Sequence, residues 1–182
     1  GDIYYNNGSA IARLGAGTSG QLLQTGGSGA NPSWTTVASG AFGQMVFNTN
    51  DTTYSNSSQS TYVRATNCKV DITPSSASKS ILVMFNVNLR STYTDSSFQH
   101  KLIRIIGGTE TVLRTTSSIY DYEHYAGTGS NNRYWHSTQF FVDAPNTTSQ
   151  VTYTFEFRNA HNTNAIYVNN DDQSQFMALE IN

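Results

Sequence analysis

The most constraining feature of this sequence is an unbroken alternation of apolar and polar side chains between positions 150 and 158. Val151, Tyr153, Phe155 and Phe157 fall on one face of an extended chain, and polar residues fall on the other. A repeat of two residues is typical of a β-strand with one buried face. β-Branched and aromatic stretches predict further strands at about 42–48, 67–73, 79–90, 98–106, 110–116, 132–142, 164–168 and 175–181. Because no segment keeps a helical repeat for three turns, we predict an all-β fold.

The predicted strand at 79–90 is apolar on both faces at its start. The odd-numbered positions from Ile81 to Leu89 form one apolar face. On the other face Leu82 and Met84 precede polar residues. This pattern predicts that the second face is partly covered where the strand begins.

Short turns connect the predicted strands. Gly107-Gly108 separates two apolar stretches, and glycine supplies the positive φ that tight hairpins need. Many strands with short connections and no intervening helices favour an antiparallel sandwich. Residues 41–182, about 140 residues, are enough for one such head domain.

Residues 1–40 differ from the rest of the chain. They hold nine of its 14 glycines, spaced between apolar pieces of no more than five residues. Such pieces bury too little surface to offset the conformational entropy lost on ordering. We therefore expect a stem at 1–40 that packs against other copies of the chain or stays flexible.

Charge and hydropathy exclude several partners. Charged residues make up 12% of the chain, the net charge is −2, and the ten Lys and Arg residues are scattered. Nucleic acids and anionic membranes both require clustered cations. The longest strongly apolar run, Ile81 to Phe85, is far shorter than the roughly 20 residues of a membrane span. We predict neither nucleic-acid binding nor membrane insertion.

The sequence offers little catalytic or metal-binding chemistry. Asp121 to His124 places two carboxylates and an imidazole together, but no nucleophile elbow, zinc-protease pair or phosphate loop occurs. Asp171 and Asp172 could supply oxygen ligands to calcium, although the spacing of a calcium loop is missing. The four histidines fall at no metal-ligand spacing, and the single cysteine, Cys68, reads as a small buried apolar residue. We predict no enzyme activity, no cofactor and no metal.

Several residues near the N-terminus follow a recognisable order. They are Gly1-Asp2, Tyr4-Tyr5, Arg13-Leu14, Gly17-Thr18, Gly20-Gln21 and Pro32 with Trp34. This order resembles a module of bacteriophage tail-fibre and other virion-structural proteins. The rest of the chain resembles the C-terminal domain that often follows this module in phages of marine bacteria and cyanobacteria. The matching segments are Lys101 to Arg104, Tyr134-Trp135 with Phe140, Asp143 to Pro145 and Phe176 to Ile181.

The resemblance implies a trimeric jelly-roll head similar to tumour-necrosis-factor-like heads, preceded by a trimerisation stem at 1–40. In such a homotrimer the stem acquires its core between chains. The stem residues expected at those contacts are Ile3, Tyr5, Ile11, Leu14, Leu22, Leu23 and Trp34.

Alternating strand directions predict where the connections lie. They bring 91–97, 117–131 and 159–174 to the end farthest from the stem. The segment 117–131 is rich in tyrosine, which suits surface recognition or, alternatively, packing of the loop against its own domain or a neighbouring chain. The predicted receptor-binding residues are Tyr93, Asp95, Tyr120, Tyr122, Glu123, His124, Tyr125, Asn131, His161, Asn164, Asp171 and Asp172.

Two functions follow from this reading. The first is the distal part of a phage tail fibre, on the virion exterior, joined to other virion proteins upstream and attaching to a glycan or protein of the host cell surface. The second is a capsid decoration or head-fibre protein with a stabilising or weak attachment role.

Overall fold

The computed structural model describes residues 1–36, 42–93, 96–116, 132–161, 163–170 and 172–181, and the backbone alone at 123–125. The chain forms two compact units, Gly1–Gly40 and Ala41–Asn182. We call them the stem unit and the head. No helix of the described residues is long and apolar enough to span a membrane.

The stem unit consists of two antiparallel hairpins. Strands β1 (Ile3–Asn6) and β2 (Ile11–Leu14) pair, as do β3 (Gln21–Gln24) and β4 (Ser33–Thr36). Among residues 1–36, no side chain is buried. Tyr4, Ile11, Leu22 and Leu23 are exposed. Residues 1–36 of a single chain therefore have no buried core of their own.

Residues of the N-terminal module make specific contacts within the stem unit. Arg13 Nε lies 2.7 Å from an Asp2 carboxylate oxygen across the first hairpin. Trp34 Nε1 donates to the Gly15 carbonyl at 2.6 Å. A Cβ at Gly17 would come within 2.7 Å of the Trp34 ring, so only glycine lets the chain pass there. These contacts give a structural reason for the order of residues in the module.

The head contains eleven strands among its described residues. In chain order they are β5 (Phe42–Asn50), β6 (Tyr54–Asn56), β7 (Val63–Ile72), β8 (Ser80–Ser91), β9 (Ser96–Ile106), β10 (Thr109–Thr115), β11 (Glu123–Tyr125), β12 (Arg133–Asp143), β13 (Val151–Arg158), β14 (Ile166–Val168) and β15 (Ser174–Ile181). A five-stranded sheet has the order β10-β9-β13-β7, with β11 also on β9. A six-stranded sheet has the order β5-β15-β8-β14-β6, with β12 on the other edge of β8. Every pairing is antiparallel, which confirms the all-β antiparallel sandwich.

The core lies between these two sheets and follows the alternation of the sequence. Val151, Tyr153, Phe155 and Phe157 of β13 are all buried, as predicted. Phe155 is surrounded by other rings, with centroid distances of 5.8 Å to Phe85 and 6.3 Å to Phe176. Burial of aromatic side chains is the main source of stability in such a core.

Some strand predictions were wrong at their ends. Strand β7 begins at Val63 rather than 67, and β14 covers only Ile166–Val168. The sequence analysis missed β6 and β11, each of three residues. Strands this short do not repeat an alternation long enough to be recognised, and pairing with β14 and β9 defines them instead.

His100 is buried inside the five-stranded sheet, where its ring stacks on Phe98 at 5.3 Å. Burial, together with the charge of Arg114, lowers the pKa of His100 from 6.5 to about 4. Between pH 6.5 and pH 4 the unfolded chain therefore binds a proton that the folded chain does not bind. We expect the free energy of unfolding to decrease as the pH is lowered from 6.5 to 4, by up to about 1.4 kcal/mol per pH unit from this group.

Urea unfolding of the wild type and of His100→Phe at several pH values measures this effect. The variant keeps an aromatic ring beside Phe98 and has no titratable group, so its stability should depend less on pH. Equal pH dependence of the two proteins would contradict the lowered pKa of His100 as a source of the effect.

Candidate recognition surface

Strand pairing defines two ends of the head. Phe42, at the start of β5, pairs with Ile181, which pairs with Ser80 at the start of β8. The same end holds the Gly107-Gly108 turn, because Arg104, just before the turn, binds Asp143, which pairs with Ile81 beside Ser80. At the opposite end, which we call the tip, β8 finishes and β9 starts. The strand directions used in the sequence analysis are therefore confirmed for the described strands.

The turn between β8 and β9 is closed by hydroxyl groups. The hydroxyls of Ser91 and Ser96 lie 2.6 Å apart and are buried. Ser91 Oγ also donates to the Tyr93 carbonyl at 2.9 Å and accepts from the Tyr93 amide at 3.1 Å. These bonds fix the backbone of Tyr93, a predicted recognition residue, at the tip.

Asn159 ties the segment after β13 to the same place. Its side-chain carbonyl accepts from the Ser97 amide at 3.1 Å and the His161 amide at 3.2 Å. Its amide nitrogen donates to the Asn164 carbonyl at 2.8 Å. His161 and Asn164, both predicted recognition residues, therefore lie beside the start of β9. Sequence reasoning missed Asn159, since the connection 159–174 holds four other asparagines and nothing in the sequence marks this one as fully buried.

Strand β11 brings a third segment to the tip. Glu123 pairs with Phe98, His124 with Ser97, and Tyr125 with Ser96. The structure thus gathers the backbone of these three predicted residues with Tyr93, His161 and Asn164. The remaining predicted residues Asp95, Tyr120, Tyr122, Asn131 and Asp171 lie outside the described residues.

Asp172 does not lie at the tip, which corrects the sequence analysis. The segment after β14 crosses the side of the head, where the Asn169 amide donates to the Asn88 carbonyl, three residues before β8 ends. Asp172 lines a shallow polar groove there with Asp51, Thr53, Asn170 and Gln173. The alternation of strand directions placed the whole 159–174 connection at one end. It could not show that β14 and β15 run along the same edge of β8.

A further cluster near the tip was not predicted. The Arg90 guanidinium lies 5.3 Å from the ring centre of Tyr167 and 5.9 Å from that of Tyr134. Arg90 Nη2 donates to Asn132 Oδ1 at 3.1 Å. Tyr134 remains 55% exposed, so its aromatic ring is open to a partner beside the half-buried Arg90 cation. Positions 90, 134 and 167 meet only through pairing of β8 with β12 and β14, which no local pattern indicates.

Comparisons with known proteins give no family. No protein-family profile matches the chain, and no curated protein matches it either. Three solved structures of infectious bursal disease virus are similar in part. The Gx strain structure has 11% identity and a TM-score of 0.44 over 94% of this chain and 38% of that one. The Gt strain has 13% identity and a TM-score of 0.41 over 97% and 45%. The VP2 subviral particle has 12% identity and a TM-score of 0.32 over 94% and 47%.

This chain spans less than half the length of each of these viral chains. At these TM-scores the likeness carries no argument about fold or function. The sandwich is established by the strand pairing described above.

Proposed function

We propose that this protein is a virion structural protein, the distal part of a trimeric phage fibre whose head attaches to a glycan or protein of the host cell surface. The observation that carries the proposal is the gathering at the tip of three connections that are distant in sequence. They lie at the end of the head opposite Phe42, where its described chain begins. Loops gathered at one end of a rigid scaffold are suited to binding.

The chemistry of the tip supports surface recognition. Arg90 with Tyr134 and Tyr167 offers ring faces and guanidinium donors, a combination that suits sugar rings and polar protein surfaces. Threefold repetition raises a weak single-site affinity through avidity. The stem unit supports the fibre assignment, since its module resembles that of fibre proteins and none of its residues 1–36 is buried within one chain.

Adsorption of the fluorescently labelled protein to a panel of marine bacteria and cyanobacteria tests the proposal. Replacing Tyr120, Tyr122 and Tyr125 together by alanine should weaken adsorption by roughly tenfold or more, the size of effect expected when central aromatic contacts are lost. A matched control replaces Thr148, Ser149 and Gln150, exposed residues at the opposite end, by alanine. This control should adsorb like the wild type.

Undiminished adsorption of a correctly assembled tyrosine variant would remove the 117–131 segment from the site. A wild-type protein that adsorbs to no cell of the panel but binds purified capsids would instead favour the capsid decoration or head-fibre function.

A further inference from the structure

The outer face of the six-stranded sheet carries two rows of apolar side chains. Strands β5, β15, β8 and β12 lie side by side, and paired residues project to the same side of the sheet. One row is Phe47, Met177, Met84 and Phe140. The next row is Met45, Leu179, Leu82 and Val142. We call these eight residues the apolar face.

The apolar face is open to water in a single chain. Phe140 is 70% exposed, Met45 64%, Val142 59% and Phe47 57%. Neither row contains a charged residue, although exposed strands ordinarily carry polar or charged side chains on the solvent side. The sequence predicted partial cover over Leu82 and Met84, and both are half-buried at the centre of their rows, whereas the residues at the two ends of each row stay exposed.

The extent of the apolar face matches one side of a protein interface. Phe42 adjoins the face beside Ile181 and is 65% exposed. With about 200 Å² for each phenylalanine side chain, Phe42, Phe47 and Phe140 alone leave close to 400 Å² of ring surface in water. Met45 and Val142 bring this area to the upper end of the range for the largest patch of ordinary monomers, about 300–600 Å². The exposed part of the apolar face is therefore most of the roughly 800 Å² that each partner contributes to a standard interface.

The apolar face is separate from the tip. The next row toward the tip consists of Thr49, Gln175, Asn86 and Thr138, all polar. Asn88 with His136 follows, and then the Arg90 cluster. A receptor held at the tip would therefore leave the apolar face uncovered.

We propose that the apolar face binds further copies of this chain, so that the head itself holds the oligomer together. This inference rests on the trimer of the proposed function. In a threefold arrangement with the face turned toward the axis, each copy supplies the uncharged surface that the others require. The stem unit needs the same association, because its apolar side chains also lack cover within one chain.

Cysteine labelling of the full-length protein tests the inference. Phe140→Cys places a thiol on the apolar face, and Val142→Cys repeats the test at a second position. Val112→Cys is the control, since Val112 is 53% exposed on β10 of the other sheet. Cys68, the native thiol, is 0% exposed, so it should not react with the label in the folded protein. Labelling rates with a fluorescent maleimide are measured together with the mass from light scattering.

We expect light scattering to give three times the mass of one chain, which is 20.0 kDa. In this trimer, thiols at 140 and 142 should react at least roughly tenfold more slowly than the thiol at 112, because the interface excludes water and reagent. In urea the three rates should become equal. A dimer with the same protection would support the inference and contradict the trimer.

Three results would overturn the inference. A trimer with equal labelling rates at all three positions would contradict the apolar face as an interface and leave the proposed function intact. A monomer with fast labelling throughout would contradict both the interface and the trimer. A monomer with slow labelling at 140 and 142 would show that the face is covered within one chain.

Discussion

Replacing Phe155 with alanine should lower the free energy of unfolding by about 3–5 kcal/mol. Phe155 is fully buried on β13, and its ring contacts Phe85, Phe98, Phe157 and Phe176 at centroid distances of 5.8–6.3 Å. The substitution removes apolar surface from both sheets at once and leaves a cavity that neighbouring strands cannot close. Denaturant unfolding followed by circular dichroism, at one fixed protein concentration, measures the loss.

Phe155→Leu is the graded control. It keeps most of the side-chain volume, so its loss of stability should be clearly smaller than that of the alanine variant. A loss below about 1 kcal/mol for Phe155→Ala would contradict the position of this ring at the centre of the sandwich.

Replacing Asp143 with alanine should lower the free energy of unfolding by a similar amount, about 3–5 kcal/mol. Asp143 ends β12 of the six-stranded sheet, and its partners belong to the other sheet. Its carboxylate accepts from Arg104 Nη1 at 3.0 and 3.1 Å and from the Tyr153 hydroxyl at 2.8 Å. Side chains of Asp143 and Arg104 are only 10% and 19% exposed, so the variant leaves a poorly hydrated guanidinium without its anion.

The same variant removes the partner of Tyr153. Burial, reinforced by Asp143, raises the pKa of Tyr153 well above its ordinary value, so the hydroxyl stays protonated and donates. Without Asp143 this donor is left unsatisfied near the end of the core.

Lys69→Ala, which breaks an exposed ion pair, is the control for the Asp143–Arg104 pair. Lys69 pairs with Asp71 at 3.0 Å, but its side chain is 43% exposed. A pair in water contributes little, and we expect a change within about 1 kcal/mol. Equal effects of Asp143→Ala and Lys69→Ala would show that the link between the sheets adds nothing beyond an ordinary surface pair.

The tip was predicted in outline and not in its contacts. The alternation of strand directions placed Tyr93, His161 and Asn164 at one end of the head, because antiparallel strands joined by short turns reverse direction at each step. The same alternation misplaced Asp172, since β14 and β15 share one edge of β8. Asn159 and the Arg90 cluster were not predicted, because their partners are distant in sequence.

The sequence by itself determined the all-β class, the inward face of β13 and the lack of a buried core among residues 1–36 of one chain. These properties depend on the period of the side chains and on the amount of apolar surface, both of which are local. Only the tertiary structure decided that Phe140 and Val142 join Met84 and Leu82 in one apolar face, and that Asp143 links the two sheets. Such contacts depend on which strands become neighbours, and that choice is made by packing of the whole sandwich.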